Sequence, residues 1–120
     1  MPSAVLHRWD DVPANDLAPG IRRRFLTTQR MTIARFALSR GAIVPSHSHD
    51  HEQVSYVVSG ALRFRVSGEE IVVRAGEALQ IPSWAEHGVE VIEDTEVIDM
   101  FAPVRQDWLD GTDTYFSGRK

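Results

Sequence analysis

Residues 41–60 read GAIVPSHSHDHEQVSYVVSG, in which His47 and His49 are two positions apart. In an extended strand, side chains two positions apart project to the same face, so the two imidazoles point the same way. Neutral imidazole is a common protein ligand of transition metals. A further histidine, His87, lies in the stretch GEALQIPSWAEHGVEV at residues 76–91. These histidines predict a metal site that joins two strands, with a histidine-rich surface loop as the alternative.

The segments around the histidines have the composition and periodicity of short β-strands. Valine and isoleucine are frequent, and turn residues recur about every ten positions. Residues 62–66 alternate apolar side chains with arginines, which indicates a half-exposed strand, and the Ser67-Gly68 turn predicts a hairpin over residues 61–74. The other predicted strands cover residues 31–38, 53–58, 78–81, 88–92 and 96–101. An all-β domain of this kind closes into a barrel or a two-sheet jelly roll.

The length of the chain suits one domain. It has 120 residues, of which 42% are hydrophobic, enough for one core. Residues 1–20 are predicted to form an irregular N-terminal arm, because they contain Pro13 and Pro19-Gly20. Residues 21–120 are predicted to form a single domain with a short C-terminal segment from about residue 103. The chain has no cysteine, which excludes disulfides, thiolate metal sites and a cysteine nucleophile.

Charge and hydropathy exclude two classes of partner. The formal net charge is −4, so the chain has no general attraction for nucleic acid or anionic membranes. Its longest apolar run is far shorter than the roughly 18 residues that a membrane span needs, and the N-terminus lacks the apolar region of a signal peptide. We therefore expect a soluble, cytoplasmic protein.

A second group of candidate functional residues follows His87. Asp99 shares one strand face with Val97 and Phe101, so its carboxylate is expected to point inward. A buried carboxylate is costly unless it is paired or used in chemistry. Arg105 lies just past Pro103, and its planar fork suits a substrate carboxylate. The alternatives are a structural bridge from Asp99 to a nearby arginine and a surface role for Arg105.

The spacing of residues 41–60 and 76–91 resembles the two sequence motifs of the cupin superfamily. The glycines Gly41, Gly60 and Gly76 stand at the motif positions, as do His47, His49 and His87. Three positions depart from the usual pattern: Gln53, Trp84 and Val91 replace glutamate, glycine and asparagine. The resemblance implies an all-β fold of the cupin type, an antiparallel double-stranded β-helix or jelly-roll barrel.

The same resemblance implies a metal site. Its ligands would be His47, His49, Gln53 and His87, holding one divalent ion such as zinc, nickel, iron or manganese. A glutamine is a neutral donor, so the ion keeps its full formal charge, which favours a Lewis-acid role over oxygen activation. His51 shares the side-chain parity of His49 but is not a ligand in the family pattern. We interpret it as a rim residue, with joining or replacing a ligand as the alternative.

The late segment DMFAPVRQDWL at residues 99–109 indicates which group of cupins the chain resembles. Together with the histidine-rich segment, it is similar to the pectin-degradation cupins, which linearise unsaturated uronates. In those enzymes the residues corresponding to Asp99, Phe101 and Arg105 matter for activity. The resemblance implies a metal-dependent isomerase acting on a small, carboxylate-bearing sugar. Another metal cupin, such as a dioxygenase or sugar isomerase, and a non-catalytic sensory or binding cupin are the alternatives.

A homodimer is the expected assembly. Pairing of barrels and exchange of arms are common in the family that the chain resembles. The N-terminal arm carries the apolar residues Val5, Leu6 and Trp9, which are the candidates to cover a second subunit.

Overall fold

The structure is a computed structural model, and it describes residues 2–113. These residues form eight strands, a short 3-10 helix at Trp9–Asp11 and one α-helix, α1 (Gln106–Asp110). The strands are β1 (Ala14–Ala18), β2 (Ile21–Thr27), β3 (Thr32–Leu38), β4 (Ile43–His47), β5 (Glu52–Val66), β6 (Glu69–Arg74), β7 (Ala78–Ile81) and β8 (His87–Ala102). All strand pairs are antiparallel, as predicted for an all-β jelly-roll barrel.

The two long strands β5 and β8 organise the barrel. Residues 52–57 of β5 pair with residues 97–102 of β8, and this half continues through β3, β2 and β1 on one side and β7 on the other. Residues 62–66 of β5 pair with residues 87–91 of β8, and this half adds β6 and β4. Because both long strands pass from one half to the other, the sheet folds around a single core.

Gly60 marks the place where β5 passes between the halves. Its φ is +93°, and a Cβ atom there would overlap the carbonyl oxygen of Asp94 and the hydroxyl of Thr95 on β8. The pairing register shifts here, as it does in a bulge, so the strand bends without ending. The prediction of separate strands at 53–58 and 62–66 was therefore wrong, as was the separation of 88–92 from 96–101.

The core fills the space between the two halves. The alternating apolar residues of the hairpin point inward as predicted, with Leu62 and Phe64 buried on β5. Trp108 of α1 closes one end of this core by contacting Phe101 and Phe36 edge-on, at ring-centroid distances of 5.0 and 6.2 Å. The short C-terminal helix thus contributes Trp108 to the core.

The N-terminal arm is more ordered than the sequence indicated. Ala14–Ala18 form β1, which pairs with β2, although the prediction was an irregular chain. The arm is also tied down by Arg24, whose guanidinium donates hydrogen bonds of 2.9 Å to the carbonyl oxygens of Trp9 and Val12. Pro13 does not prevent this strand, because it lies just before the first residue. Val5 and Leu6 extend beyond it and are 73% and 84% exposed.

The C-terminal end of the predicted domain lies beyond the part of the chain that the structure describes. Residues 114–120 of the predicted 21–120 domain lie outside the described residues. Within residues 2–113, no helix is long and apolar enough to cross a membrane.

Candidate functional site

Three of the histidines meet at one end of the barrel. His47 ends β4 and His87 begins β8, and the two residues are paired across these strands. His49 follows in the loop before β5, and its ring lies 5.0 Å from that of His87, centroid to centroid. One ring nitrogen from each histidine lies within 4.8 Å of the other two. The sequence thus correctly indicated that distant segments join here, and the three rings could hold one metal ion.

Backbone carbonyl groups orient all three rings in the same way. The Nδ1 atoms of His47, His49 and His87 lie 2.8, 3.0 and 2.9 Å from the carbonyl oxygens of residues 45, 51 and 85. A neutral imidazole that donates its Nδ1–H presents a lone pair at Nε2. Within residues 2–113, the buried Nε2 atoms of His49 and His87 have no hydrogen-bond partner. This pattern of one bonded and one open nitrogen fits metal ligation.

Burial keeps these rings neutral. It lowers the pKa of both His47 and His49 to about 4, and it also lowers the pKa of His87. The positive charge of Arg105 acts in the same direction on all three. Metal ligands must be deprotonated, so the site is in its binding-competent form at neutral pH.

Gln53 lies on the wall of the same cavity as His47 and His87. It sits on β5 between Ile81 of β7 and Phe101 of β8, and it is buried. Its Nε2 donates a hydrogen bond of 3.0 Å to the hydroxyl of Ser55. The side chains of His47, Gln53, His87, Asp99, Phe101 and Arg105 all line this space, which we call the barrel cavity.

Asp99 faces the barrel cavity from β8, on the inward side that the period-two pattern predicted. Burial raises the pKa of its carboxyl to about 6, while a hydrogen bond from Ser55 and the charge of Arg105 oppose the rise. In the described part of the chain, its buried Oδ1 has no hydrogen-bond partner. Asp99 therefore combines a near-neutral pKa with an oxygen open to a ligand.

Arg105 is held by aromatic rings and by a neighbouring carboxylate. Its side chain is 1% exposed, and its guanidinium carbon lies 4.7 and 4.4 Å from the ring centroids of Phe101 and Trp108. Its Nε and Nη2 donate to the two carboxylate oxygens of Asp107, at 3.0 and 2.7 Å. Its backbone N–H donates to the hydroxyl of Thr32. The alternative of a surface arginine is excluded, because Arg105 is buried and forms an ion pair with Asp107. The charge of Arg105 also acts on Asp99, where it lowers the pKa of the carboxyl against the effect of burial.

His51 lies beside the cluster rather than in it. Its Nε2 contacts the carbonyl oxygen of Val104 at 3.1 Å, and its ring lies 5.3 Å from that of His49. Its own carbonyl oxygen accepts the Nδ1–H of His49. The side chain is half-buried. This placement agrees with a residue at the rim that helps to orient His49.

Two residues in contact with the site were missed from the sequence. Ser55 lies two positions after Gln53 on β5, and Asp107 lies two positions after Arg105. The same-face spacing within a strand could have drawn attention to Ser55. Asp107 lies in the late segment, but its ion pair with Arg105 depends on how the chain turns into α1. The spacing of residues in the sequence does not predict that turn.

The geometry agrees with the comparisons of this chain with known proteins. The cupin domain family matches residues 34–101. The chain belongs to the cupin family. This cupin is 35% identical over 105 residues to the pectin degradation protein KdgF of Dickeya dadantii (strain 3937), a match that covers 83% of this chain and 94% of the relative.

Two solved structures are similar to this cupin over most of their length. KdgF from Halomonas sp. has a TM-score of 0.82 at 31% identity, covering 88% of this chain and 99% of that one. An RmlC-like cupin from Shewanella frigidimarina NCIMB 400 has a TM-score of 0.82 at 29% identity, covering 88% and 96%. The fold class and the family resemblance indicated by the two motifs are therefore confirmed.

Proposed function

We propose that this cupin linearises 4,5-unsaturated uronate monosaccharides, by ring opening and enol-to-keto isomerisation, with a divalent metal ion in the barrel cavity. Its relative from Dickeya dadantii is named a pectin degradation protein, and the match covers nearly the whole of both chains. The observation that carries the proposal is the placement of Asp99, with an open carboxylate oxygen, in the same cavity as His47, His87 and Arg105.

The proposed metal ligands are His47, His49, Gln53 and His87. Two buried Nε2 atoms with no partner in residues 2–113, and three Nδ1 atoms bonded to backbone carbonyl groups, support the histidine part of this set. Gln53 offers a neutral amide oxygen from the wall of the same cavity. When bound, a divalent ion supplies a Lewis acid that stabilises negative charge on a substrate oxygen.

Asp99 is the proposed acid–base group. In the reaction, the hydroxyl on C1 loses its proton, the bond from C1 to the ring oxygen breaks, and the C5 oxygen is released as an enolate. Addition of a proton at C4 then gives the C5 ketone. The proton lost at the hydroxyl equals the proton gained at C4, so one carboxyl group can accept the first and donate the second. A pKa of about 6 suits both tasks near neutral pH.

Arg105 and Phe101 are proposed to position the substrate. The guanidinium supplies a positive charge on the cavity wall, which attracts the substrate carboxylate. Asp107 and two aromatic rings hold that group in place, so little reorganisation is needed on binding. Phe101 is buried and contacts the ring of His49 edge-on, which makes it an apolar wall that excludes water beside the metal ligands.

The test is a direct assay on defined sugars. Metal-loaded protein is incubated with unsaturated galacturonate and unsaturated mannuronate, and the loss of ultraviolet absorbance from the conjugated double bond is followed. Because unsaturated uronates can also open without a catalyst, the controls are buffer alone and chelator-treated protein. We expect absorbance to fall faster only with the loaded protein, with no oxygen consumed. Equal rates in all three samples would contradict the proposal, and oxygen uptake would favour a dioxygenase instead.

A further inference from the structure

A buried serine links the candidate metal ligand Gln53 with the candidate acid–base group Asp99. Ser55 is fully buried, at 0% exposure, and its side chain lies on the same face of β5 as that of Gln53. It is also paired with Asp99 across β5 and β8. Its hydroxyl oxygen accepts the Nε2–H of Gln53 at 3.0 Å. Burial raises the pKa of the Asp99 carboxyl, and a side-chain hydrogen bond from Ser55 opposes that rise. One hydroxyl group therefore contacts both side chains.

The chemistry of a hydroxyl determines the direction of these two hydrogen bonds. A serine has a single O–H to donate, and Asp99, whenever it is ionised, can only accept it. The hydrogen bond from the Nε2–H of Gln53 to the hydroxyl oxygen of Ser55 has the direction that this leaves. Ser55 can therefore act only as an acceptor toward Gln53. An amide has one end that donates and one that accepts, so the NH₂ end of Gln53 must face Ser55. Its Oε1, the only atom of the amide that can ligate a cation, is left for other partners.

This arrangement complements what the backbone does for the histidines. The Nδ1 atoms of His49 and His87 are bonded to carbonyl groups, which leaves Nε2 as the ligating atom of these two rings. The hydroxyl of Ser55 does for the amide what those carbonyl groups do for the imidazoles. Both devices satisfy the hydrogen-bond donor of a side chain and so leave its lone pair for a cation.

We infer that Ser55 is a positioning residue that orients the Gln53 amide with its oxygen available to the metal. The inference rests on the proposed function, because it takes Gln53 as a ligand. It also gives a physical reason for an amide at position 53, where most cupins are expected to carry glutamate. A glutamate there would compete with Asp99 for the single proton of Ser55, and it would place two carboxylates against one hydroxyl.

The experiment measures metal affinity and not turnover. Chelator-stripped wild type, Ser55→Ala, Gln53→Ala and the double variant are titrated with Co²⁺, whose visible spectrum reports the coordination of the ion. Thr95→Ala is the matched control, because Thr95 is a buried hydroxyl residue bonded to the carbonyl groups of residues 61 and 93, and it does not line the barrel cavity. Thermal unfolding of each stripped variant checks that it is folded.

We expect Ser55→Ala to weaken Co²⁺ binding by roughly 10- to 100-fold, with a changed visible spectrum. The double variant should bind no more weakly than Gln53→Ala, because Ser55 acts through that amide. Thr95→Ala should bind as the wild type does, even where its melting temperature is lower. The decisive result is that Ser55→Ala weakens Co²⁺ binding in the wild type but not in Gln53→Ala. A general loss of stability would not produce this difference.

Two results would overturn the inference while leaving the proposed function intact. They are wild-type affinity in Ser55→Ala, and a further loss of affinity when Ser55→Ala is added to Gln53→Ala. Unchanged affinity in Gln53→Ala would remove both the ligand assignment and the role of Ser55. Failure of the wild type to act on unsaturated uronates would instead overturn the function and leave the metal measurements as they stand.

Discussion

Asp107 holds the guanidinium of Arg105 through two hydrogen bonds, 3.0 Å at Nε and 2.7 Å at Nη2, on the wall of the barrel cavity. The arginine is buried, and the charge of Arg105 lowers the pKa of the Asp107 carboxyl, against the effect of burial. A paired, stacked guanidinium is ready to receive an anion without first being ordered. This pair is the part of the site on which substrate binding should depend most.

Asp107→Asn should impair substrate binding more than it impairs folding. The amide keeps one acceptor oxygen but loses the charge and the second acceptor, so Arg105 is held less firmly. We expect kcat/KM to fall by roughly tenfold, mainly through KM, because small misplacements of a positioned group are costly. The control is Asp16→Asn, which removes the exposed ion pair with Arg22. Equal kcat/KM values in the two variants would contradict the positioning role.

Asp99→Asn should abolish most of the turnover without loss of metal. An amide cannot exchange a proton with the substrate, so kcat should fall by roughly 10²–10⁴, the usual contribution of a general acid–base group. Metal content and folded fraction should stay near those of the wild type. A fall in activity no larger than the fall in folded protein would show that Asp99 is only structural.

The same variant should change how stability depends on pH. The pKa of Asp99 is 3.8 in the unfolded chain and about 6 in the folded one, so the folded state holds the proton more tightly. The resulting stability is fully present below the unfolded value and is lost as pH rises through about 6. Asparagine has no such dependence. Between about pH 5 and about pH 8, the unfolding free energy of metal-stripped Asp99→Asn should rise by about 1 kcal/mol relative to wild type. Denaturant titration at the two pH values measures this, and a constant difference would contradict the raised pKa.

His47→Ala and His87→Ala should each lose the bound metal. The two residues are paired at the junction of β4 and β8, so each removes one of three converging nitrogens. Elemental analysis of the purified proteins is the measurement, and His51→Ala is the matched control from the rim. We expect metal in the control and little in the other two. Wild-type metal content in both ligand variants would exclude this site.

Trp84→Gly should stabilise the protein. Trp84 has a φ of +67°, the residue is 65% exposed, and its backbone N–H donates to the carbonyl oxygen of His49. The left-handed conformation costs a non-glycine residue roughly 1–2 kcal/mol. Part of that gain is offset by the greater freedom of glycine in the unfolded chain, so the melting temperature should rise by a few degrees.

Trp84→Ala separates backbone relief from loss of the exposed ring. Alanine keeps the Cβ atom, so the strain persists and no stabilisation is expected. A melting temperature raised equally in both variants would show that the indole ring, and not the backbone, is responsible. The resemblance to cupin motifs places glycine at this position, and the positive φ gives the physical reason.

The N-terminal arm is expected to support a homodimer. Val5 and Leu6 lie beyond the tied segment of the arm and are largely exposed, and a second subunit would cover them. Deletion of residues 2–7 should shift the protein from dimer to monomer in light scattering at micromolar concentration. The hydrogen bond from Arg24 to the carbonyl oxygen of Trp9 remains in that variant, so the barrel should stay folded. A monomeric full-length chain would contradict the prediction.

The sequence by itself determined most of the strands and the main candidate residues. Alternation of apolar and polar residues is a local property, so it shows which side chains share a face, as for Asp99 with Phe101. The spacing of His47 and His49 predicted that both rings lie in one site, although His49 lies in the loop after β4 and not on the strand. The family resemblance then connected these residues with His87 and Gln53. These inferences needed no knowledge of which strands are neighbours.

Only the tertiary structure decided which faces meet and which atoms remain available. The hydroxyl of Ser55 reaches Asp99 because β5 and β8 pair in one particular register. The sequence predicted that a strand ends near Gly60, but β5 continues through this residue. The close approach of Gly60 to β8 produces a bulge there, and the two strands remain paired on both sides of it. Asp107 reaches the guanidinium of Arg105 because α1 packs Trp108 into the core. Each of these depends on contacts formed when the barrel closes, and local spacing does not encode such contacts.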